Sequence, residues 1–491
     1  MKLHPALNDT LRGHDIRTAA PAPFASRKVF LGMLAASAIL LLAYRIVLMW
    51  LLPLADTTEA RYGEIARLTV THGFWLMPHI DATTPFFAKP PLSTWASAGA
   101  MALFGINEFA ARLPALLATL IAVRTAMAFA AAYHIRKTWL VIPILASCPL
   151  FFISAGAVMT DAIQMSVVMA ALYCAWRAIA PLAEGESAER RTRRHWRIGF
   201  WVMVGIGALC KGLADWALIG MPLIAYALVE RRPLALLRQL MDGTGIALCI
   251  ALFLPWYLAA EHAYPGFLNY FIVGEHFSRF LVPGWKGDRY GIAHMQPLGT
   301  IWLFWSAAIL PWLGVFLMQL WQLLRKRADA VEPLERFLWC ATLMPLLFFT
   351  FAHNIIWTYG LTSIVPFAVL AARWLENASS AGTRIAGGGI LALTIAAAGC
   401  YQLIQTNVSG NSDRDLVRAF HQIEDNDIPL AYRIKPAYSA HFYTRDNLLD
   451  ESDAGRHLPA DVAPFAVERN ELIGNAPVYF HGTRYSLIKP H

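Results

Sequence analysis

The sequence predicts an all-α polytopic membrane protein of about eleven spanning helices, closed by a small C-terminal α/β unit. Three observations predict it: 57% of the 491 residues are hydrophobic, only 15% are charged, and apolar runs of about twenty residues recur along the chain. With a mean hydropathy of +0.45 the chain is too apolar for water to be its main solvent. Each run is long enough to cross a hydrocarbon core of roughly 30 Å as a helix, and the alternating pattern of a membrane barrel is not seen.

Taken in order, residues 1–27 are polar and basic and are expected to form a cytoplasmic tail. The run 29–54 is longer than a signal-peptide core and lacks a small-residue cleavage site, so it reads as an uncleaved anchor. Further spans are expected near 109–132, 138–156, 158–180, 198–212, 213–229, 244–260, 299–320, 337–352, 355–372 and 385–405, which gives a transmembrane domain over 28–405. Strict alternation then gathers on one side the N-terminus and three arginine-rich connections: Arg190, Arg191, Arg193, Arg194 and Arg197; Arg231, Arg232 and Arg238; Arg325, Lys326 and Arg327. The positive-inside rule makes that side cytoplasmic, and it also explains the net charge of +8 as topology, with no nucleic-acid partner expected.

Two long loops, 55–108 and 261–298, and a C-terminal domain over 406–491 fall on the opposite side, the periplasmic face of a bacterial inner membrane. Loops longer than about 15 residues are usually functional. In the first loop, Glu59 to His72 has helical spacing, and Pro91 to Phe104 is apolar but too short to span; both suit helices at the membrane surface. The tail alternates a helical pattern, Asp413 to Glu424, with short apolar strands at Ile428 to Tyr432 and Val478 to Phe480. The six cysteines lie within apolar spans without a CxxC and read as small hydrophobes.

Ionisable residues inside spans are expensive and mark functional sites or satisfied pairs. Alternation puts Asp56, Asp161, Lys211 and His353 at the outward face, together with Lys89, Glu275, His276 and Arg279 from the long loops. Carboxylates beside several cations at one interface suit a reaction in which an acceptor hydroxyl loses a proton while an anionic phosphate leaves. Plainer readings stand beside these: Asp56 and Asp161 as helix caps, Lys211 snorkelling to headgroups, and the turn-rich Pro283 to Gly291 as an ordinary loop.

A family resemblance rests on Asp56-Thr-Thr-Glu-Ala-Arg-Tyr-Gly-Glu-Ile65, Trp75-Leu-Met-Pro-His79, Pro85-Phe-Phe-Ala-Lys-Pro-Pro-Leu92 and Gly105-Ile-Asn-Glu-Phe-Ala-Ala-Arg-Leu113. Lys211-Gly212, Leu254-Pro-Trp-Tyr257, Gly274-Glu-His-Phe-Ser-Arg-Phe280 and Ile309-Leu-Pro-Trp312 extend it. In this ordered set the chain resembles the GT-C membrane glycosyltransferases, most of all the lipid A aminoarabinose transferases, with protein O-mannosyltransferases as more distant relatives. The resemblance implies a GT-C-like fold and transfer of a sugar from a polyprenyl-phosphate donor to a lipid, glycan or protein acceptor, with inversion. It implies Asp56 as the catalytic carboxylate with Asp161 as a second acid, and Arg61, Lys89, Lys211, His276 and Arg279 around the donor phosphate. Tyr62, Trp285, Tyr290 and Tyr359 would line the carrier or sugar, and membrane lipid would be the remaining partner.

Three departures qualify the carry-over. The family's Asp-Glu-x-Arg-Tyr is Thr58-Glu-Ala-Arg-Tyr62 here, so either Asp56 or Glu59 would take the acid role. The family's Phe-Glu-Lys-Pro is Phe87-Ala-Lys-Pro90, removing a Glu that could join His276 on a divalent metal; no cofactor is assigned, and a metal stays an alternative. Asn354-Ile-Ile-Trp-Thr-Tyr359 lacks a further family lysine. Rival readings are a transporter or flippase of lipid-linked sugars, which would use midplane charges and broken helices, and a ligase or polymerase of whole glycans.

Overall fold

The computed structural model describes residues 27–180, 189–325, 330–378, 387–390, 399–424, 427–452 and 464–489. Helix α1 (Arg27–Leu51) is followed by two helices of the first loop, α2 (Thr58–His72) and α3 (Leu92–Phe104), and by α4 (Glu108–Ala132). Next come α5 (Val141–Ser147), α6 (Pro149–Ser154), α7 (Thr160–Ile179), α8 (Glu189–Lys211), α9 (Leu213–Val229), α10 (Pro233–Leu240) and α11 (Gly243–Ala263). A π-helical segment, Asn269–Ser278, runs into the single turn α12 (Arg279–Leu281), and α13 (Thr300–Ala308), α14 (Leu313–Arg325), α15 (Pro333–Thr350) and α16 (Leu361–Asn377) complete the bundle.

Among the described residues five helices are long and apolar enough to cross a membrane, or six if the bent pair α13 and α14 counts as one span. The sequence reading expects about eleven, and several of those apolar runs are broken or bent locally. Around 138–156 a short 3-10 turn, α5 and α6 replace one span, the break falling at Cys148 before Pro149, which has no N–H to continue the ladder. Expected span 299–320 is folded back by 119° at Ile309-Leu-Pro-Trp312. The helix α9 is apolar but only 17 residues long; expected span 385–405 falls partly outside the described residues, which include 387–390 and 399–405 of it, and the tail 1–26 lies outside them altogether.

The main core joins α1, α4, α5, α7, α15 and α16 around Phe129, Phe337, Phe367, Trp305 and Trp312, all at most 2% exposed. The surface helices of the first loop form as their spacing suggests: α2 stops at Gly73, whose φ of 75° supplies the left-handed C-cap, and α4 starts at Asn107, whose side chain accepts from the Ala110 N–H.

The end of the chain folds into a five-stranded sheet in the order β2-β1-β3-β5-β4. Strand β1 (Leu430–Tyr432) pairs in parallel with β2 (Leu448–Asp450) and β3 (Ala466–Arg469), and β5 (Tyr485–Ile488) runs antiparallel to β3 and β4 (Val478–His481). Helices Arg414–His421 and Tyr438–Thr444 pack on it over Leu416, Phe420, Tyr432, Phe465 and Leu487. This unit is bolted to the first loop: Tyr443 Oη accepts from the Leu54 N–H at 2.8 Å, Arg414 Nη1 donates to Leu51 O at 2.8 Å, and buried Arg67 pairs with Asp446.

Candidate active site

A cavity of about 980 Å³ lies where α2, the ends of α7 and α8, the π-helical segment and the 288–294 stretch meet. Its polar wall carries Arg61, Lys89, Asp161, Lys211, Glu275, His276, Arg279 and Asp288, and its apolar wall includes Phe277, Phe280, Leu281, Phe348 and Phe349. Phe277 and Leu281 are more than half exposed, so the apolar side opens outward.

Lys211 is delivered by a break in the helix. Gly212 takes φ +65°, and a Cβ there would lie 2.8 Å from the Phe271 ring, so glycine satisfies both the conformation and the close approach. The Lys211 carbonyl left free by the break lies 3.0 Å from His276 Nε2, while His276 Nδ1 lies 2.8 Å from Phe271 O. Lys211 Nζ donates to Asp161 Oδ1 and to Gln164 Oε1, both at 2.9 Å, and sits 5.7 Å from the Tyr359 ring centre. Asp161 and Gln164 are three residues apart on α7 and share one face. Gln164 in turn donates to Asp215 Oδ1 at 2.5 Å.

The second cation cluster is built on Glu275, which accepts from Lys89 Nζ at 3.1 Å, from Tyr270 Oη at 3.1 Å and from Arg279 Nη1 at 3.0 Å. Burial pushes the Glu275 carboxyl up, but Lys89 and Arg279 more than offset it and hold it below the usual range. Arg279 also reaches Asp288 Oδ2 at 3.1 Å, and Asp288 Oδ1 accepts from the Tyr290 N–H at 3.0 Å. Tyr290 ties this loop to the first one: its Oη donates to Pro85 O at 2.6 Å and accepts from the Phe87 N–H at 2.9 Å, while its carbonyl accepts from Arg61 Nη1 at 2.6 Å. Arg61 lies over the Tyr62 ring at 5.4 Å.

Nine of the twelve residues given a site role from the sequence therefore line one cavity: Arg61, Tyr62, Lys89, Asp161, Lys211, His276, Arg279, Tyr290 and Tyr359; Glu275 lines it too, and His353 does not. Three of the twelve do not. Asp56 turns toward the C-terminal unit, where its carboxylate accepts from the Ser439 N–H at 3.0 Å and from the Ser439 hydroxyl. Burial pushes its pKa up, and the two Ser439 bonds only partly offset that. Glu59 is held two-handed by Arg112, at 2.8 and 2.7 Å, and also accepts from the Val158 N–H. The same Arg112 donates to Met49 O, Leu52 O and Pro53 O, closing the C-terminal end of α1. Trp285 lies behind the cavity against Gly274, where a Cβ would come within 3.1 Å of its ring.

The two acid candidates next to the motif are thus structural joints. Asp161 is different. Glu275 and Asp288 have both oxygens engaged, whereas Asp161 Oδ1 accepts from Lys211 and Oδ2 has no protein partner among the described residues. For a metal at His276 the fit is poor, because both ring nitrogens face backbone carbonyls, and no cluster of three His, Cys, Asp or Glu side chains suited to a metal occurs among the described residues. Glu275, Asp288, Gln164 and Tyr438 also line the cavity and carry no role in the motif reading. Gln164 had a signal, a polar side chain one turn after Asp161 within a span. Tyr438, which comes from the far end of the chain, had none.

Residues 28–271 match the family described as dolichyl-phosphate-mannose-protein mannosyltransferase. The arabinosyl transferase 1 of Pseudomonas fluorescens, named for undecaprenyl phosphate-alpha-4-amino-4-deoxy-L-arabinose, is 28% identical over 71% of this chain and 60% of its own length. The Serratia proteamaculans transferase of the same description is 28% identical over 70% of this chain and 60% of its own. The chain thus spans about three fifths of the length of the curated relatives it matches. The crystal structure of ArnT from Cupriavidus metallidurans bound to undecaprenyl phosphate superposes with a TM-score of 0.75 at 20% identity, covering 94% of this chain and 98% of that one. The fold is thus a polytopic, mostly helical one like that of the Cupriavidus metallidurans structure. Within that class the chain resembles the aminoarabinose and protein mannosyl transferases.

Proposed function

We propose that the protein transfers a sugar from a polyprenyl-phosphate donor to an amphiphilic acceptor such as lipid A at the periplasmic face of the inner membrane. The observation that carries this reading is the cavity itself, in which four cations and one carboxylate oxygen without a protein partner face an apolar wall open to the outside. Such a cavity suits a ligand with an anionic head and a hydrocarbon tail. The relatives whose names specify undecaprenyl phosphate sugars support the same donor class.

In the proposed reaction the acceptor hydroxyl oxygen bonds to the anomeric carbon as the bond from that carbon to the phosphate oxygen breaks. The hydroxyl proton passes to Asp161 Oδ2, and the electron pair leaves with the polyprenyl phosphate. Lys89, Lys211, Arg61 and Arg279 stabilise the charge growing on that phosphate, the kind of fixed electrostatic contribution that is often the largest in catalysis. A single displacement inverts the anomeric centre, and no covalent enzyme intermediate is needed because the phosphate already activates the sugar. His276 acts here as a positioning residue that closes the α8 carbonyl and fixes Lys211. The carboxylate role moves from Asp56 to Asp161, because of Asp56, Glu59 and Asp161 only Asp161 lines the cavity, and Glu275 and Asp288 have both oxygens engaged by cations and other donors.

A flippase would carry its charges at the midplane of broken helices. Here they come from loop elements and from the ends of α7 and α8, which favours transfer chemistry. The test is incubation of the purified protein with radiolabelled undecaprenyl-phosphate sugars, 4-amino-4-deoxy-arabinose first, and with lipid A. Label should appear in the acceptor, with inverted configuration by NMR. Absence of transfer from every polyprenyl-phosphate sugar, with donor movement across proteoliposomes instead, would replace this reading with the flippase.

A further inference from the structure

A second cavity, of about 500 Å³, lies between α4 and α7 at their other ends, lined by Arg124, Ala128, Ala131, Ala132, His134, Tyr173, Trp176, Arg177 and Ala180. On α4 the positions 124, 128, 131 and 132 recur at helical spacing and form one face, and 173, 176 and 177 do the same on α7, with Ala180 at its C-cap. Both helices are among the candidate spans. Asp161 and Arg177 are sixteen residues apart on α7, about 24 Å along the axis, so the groove sits a membrane's depth from the large cavity.

Its chemistry is one-sided: two arginines and a histidine line it, and among the described residues no Asp or Glu does. Arg177 is held in place, donating to Tyr173 Oη at 3.2 Å and lying 4.8 Å from the Trp196 ring centre. Arg124 is not held. It is exposed, has no hydrogen bond or ion pair among the described residues, and lies eight residues before the end of a spanning helix, about 12 Å inside it. A guanidinium at that depth is costly unless an anion meets it. Ala128, Ala131 and Ala132 lie between the cation and the helix end, and Trp176 lines the other side.

We propose that this groove binds the phosphate of an anionic glycerophospholipid in the arginine-rich leaflet, opposite the large cavity. Arg124 and Arg177 grip the phosphate from two helices, His134 faces the headgroup from the aqueous end, and the alanine floor seats the glycerol. Basic pockets between spanning helices on that side are a recurrent solution for holding anionic headgroups.

The probe is phosphatidylglycerol against phosphatidylcholine, added to delipidated full-length protein in detergent and read by native mass spectrometry. Wild type should retain phosphatidylglycerol at least five-fold more than phosphatidylcholine. Arg124→Gln with Arg177→Gln should remove that excess. Ala128→Phe, which fills the floor and keeps both charges, should lower it as well, so the inference does not depend on the arginine variant folding normally. Lys89→Ala, in the large cavity, should leave it intact. Equal retention of both lipids by wild type, undiminished phosphatidylglycerol in both groove variants, or loss with Lys89→Ala alone would overturn the proposal. Full displacement by millimolar inorganic phosphate would also overturn it, showing a site for free anions.

Discussion

Two groups of carboxylates in this molecule live in opposite electrostatic surroundings. In the cavity, Asp161, Glu275 and Asp288 are each within 3.1 Å of a cation. At the joint with the C-terminal unit, Asp56 and Asp413 face each other's charge around Ser439, whose Oγ accepts from the Asp413 N–H at 3.0 Å; Arg484 is the cation acting on both, and Tyr432 lies beside Asp413. Glu275 is accordingly held below the usual carboxylate range, whereas burial and then the Asp56 charge push Asp413 up to about 6. Closeness to a motif in sequence is thus a poor guide to role. The acid beside the motif is bonded to the C-terminal unit, and the acid a hundred residues later lines the cavity.

The largest effect expected from this contrast is at Lys211. Lys211→Met leaves Asp161 and Gln164 buried without their cation, a change that costs about 3–5 kcal/mol when a buried pair is broken. Transfer should fall at least about 100-fold by radiolabel assay, with a lower melting temperature. Lys89→Ala removes one charged donor to the phosphate, worth about 1.5–3 kcal/mol. It should raise the donor KM by roughly ten-fold to a hundred-fold, read by initial rates, while the melting temperature changes little.

The pH dependence of stability separates the two groups by sign. A carboxyl whose folded pKa is raised stabilises the fold at low pH, fully below its unfolded value, and loses that contribution as pH rises through the folded value. For Asp413 the window runs from 3.8 to about 6. For Glu275, with a lowered pKa, the contribution is present above the unfolded value and is lost as pH falls through the folded one. Asp413→Asn should therefore flatten the decline in melting temperature between about pH 4 and pH 6, and a curve identical to wild type would contradict the raised Asp413 pKa. The smallest effect belongs to Ser439→Ala, which removes one bond to Asp56 at a cost of about 1–3 kcal/mol. It should appear in thermal unfolding and leave kcat within about three-fold, since neither residue lines the cavity.

How much of this was legible in the sequence depended on whether the signal was local. Hydropathy gave the apolar helices, the spacing of Glu59 to His72 gave α2, and the resemblance gave nine cavity residues. Pro149 and Pro311 divide apolar runs that read as single spans in the sequence, since hydropathy windows do not register a helix folding back on itself. The fate of Asp56 was hidden because its partner Ser439 lies 383 residues away. For the same reason Tyr438 could not be seen as a wall of the cavity. Glu59 looked catalytic from its motif, yet Arg112, itself part of a quoted motif, holds both of its oxygens.

The central claim is that Asp161, and not Asp56, takes the acceptor proton. The most direct measurement is the single-turnover rate of sugar transfer from undecaprenyl phosphate to lipid A by Asp161→Asn and Asp56→Asn, compared with wild type at saturating donor. The account predicts a fall of about 10²–10⁴ for Asp161→Asn, the range expected when a general base is lost, and a rate within about three-fold of wild type for Asp56→Asn. A full-rate Asp161→Asn beside a dead but folded Asp56→Asn would contradict it.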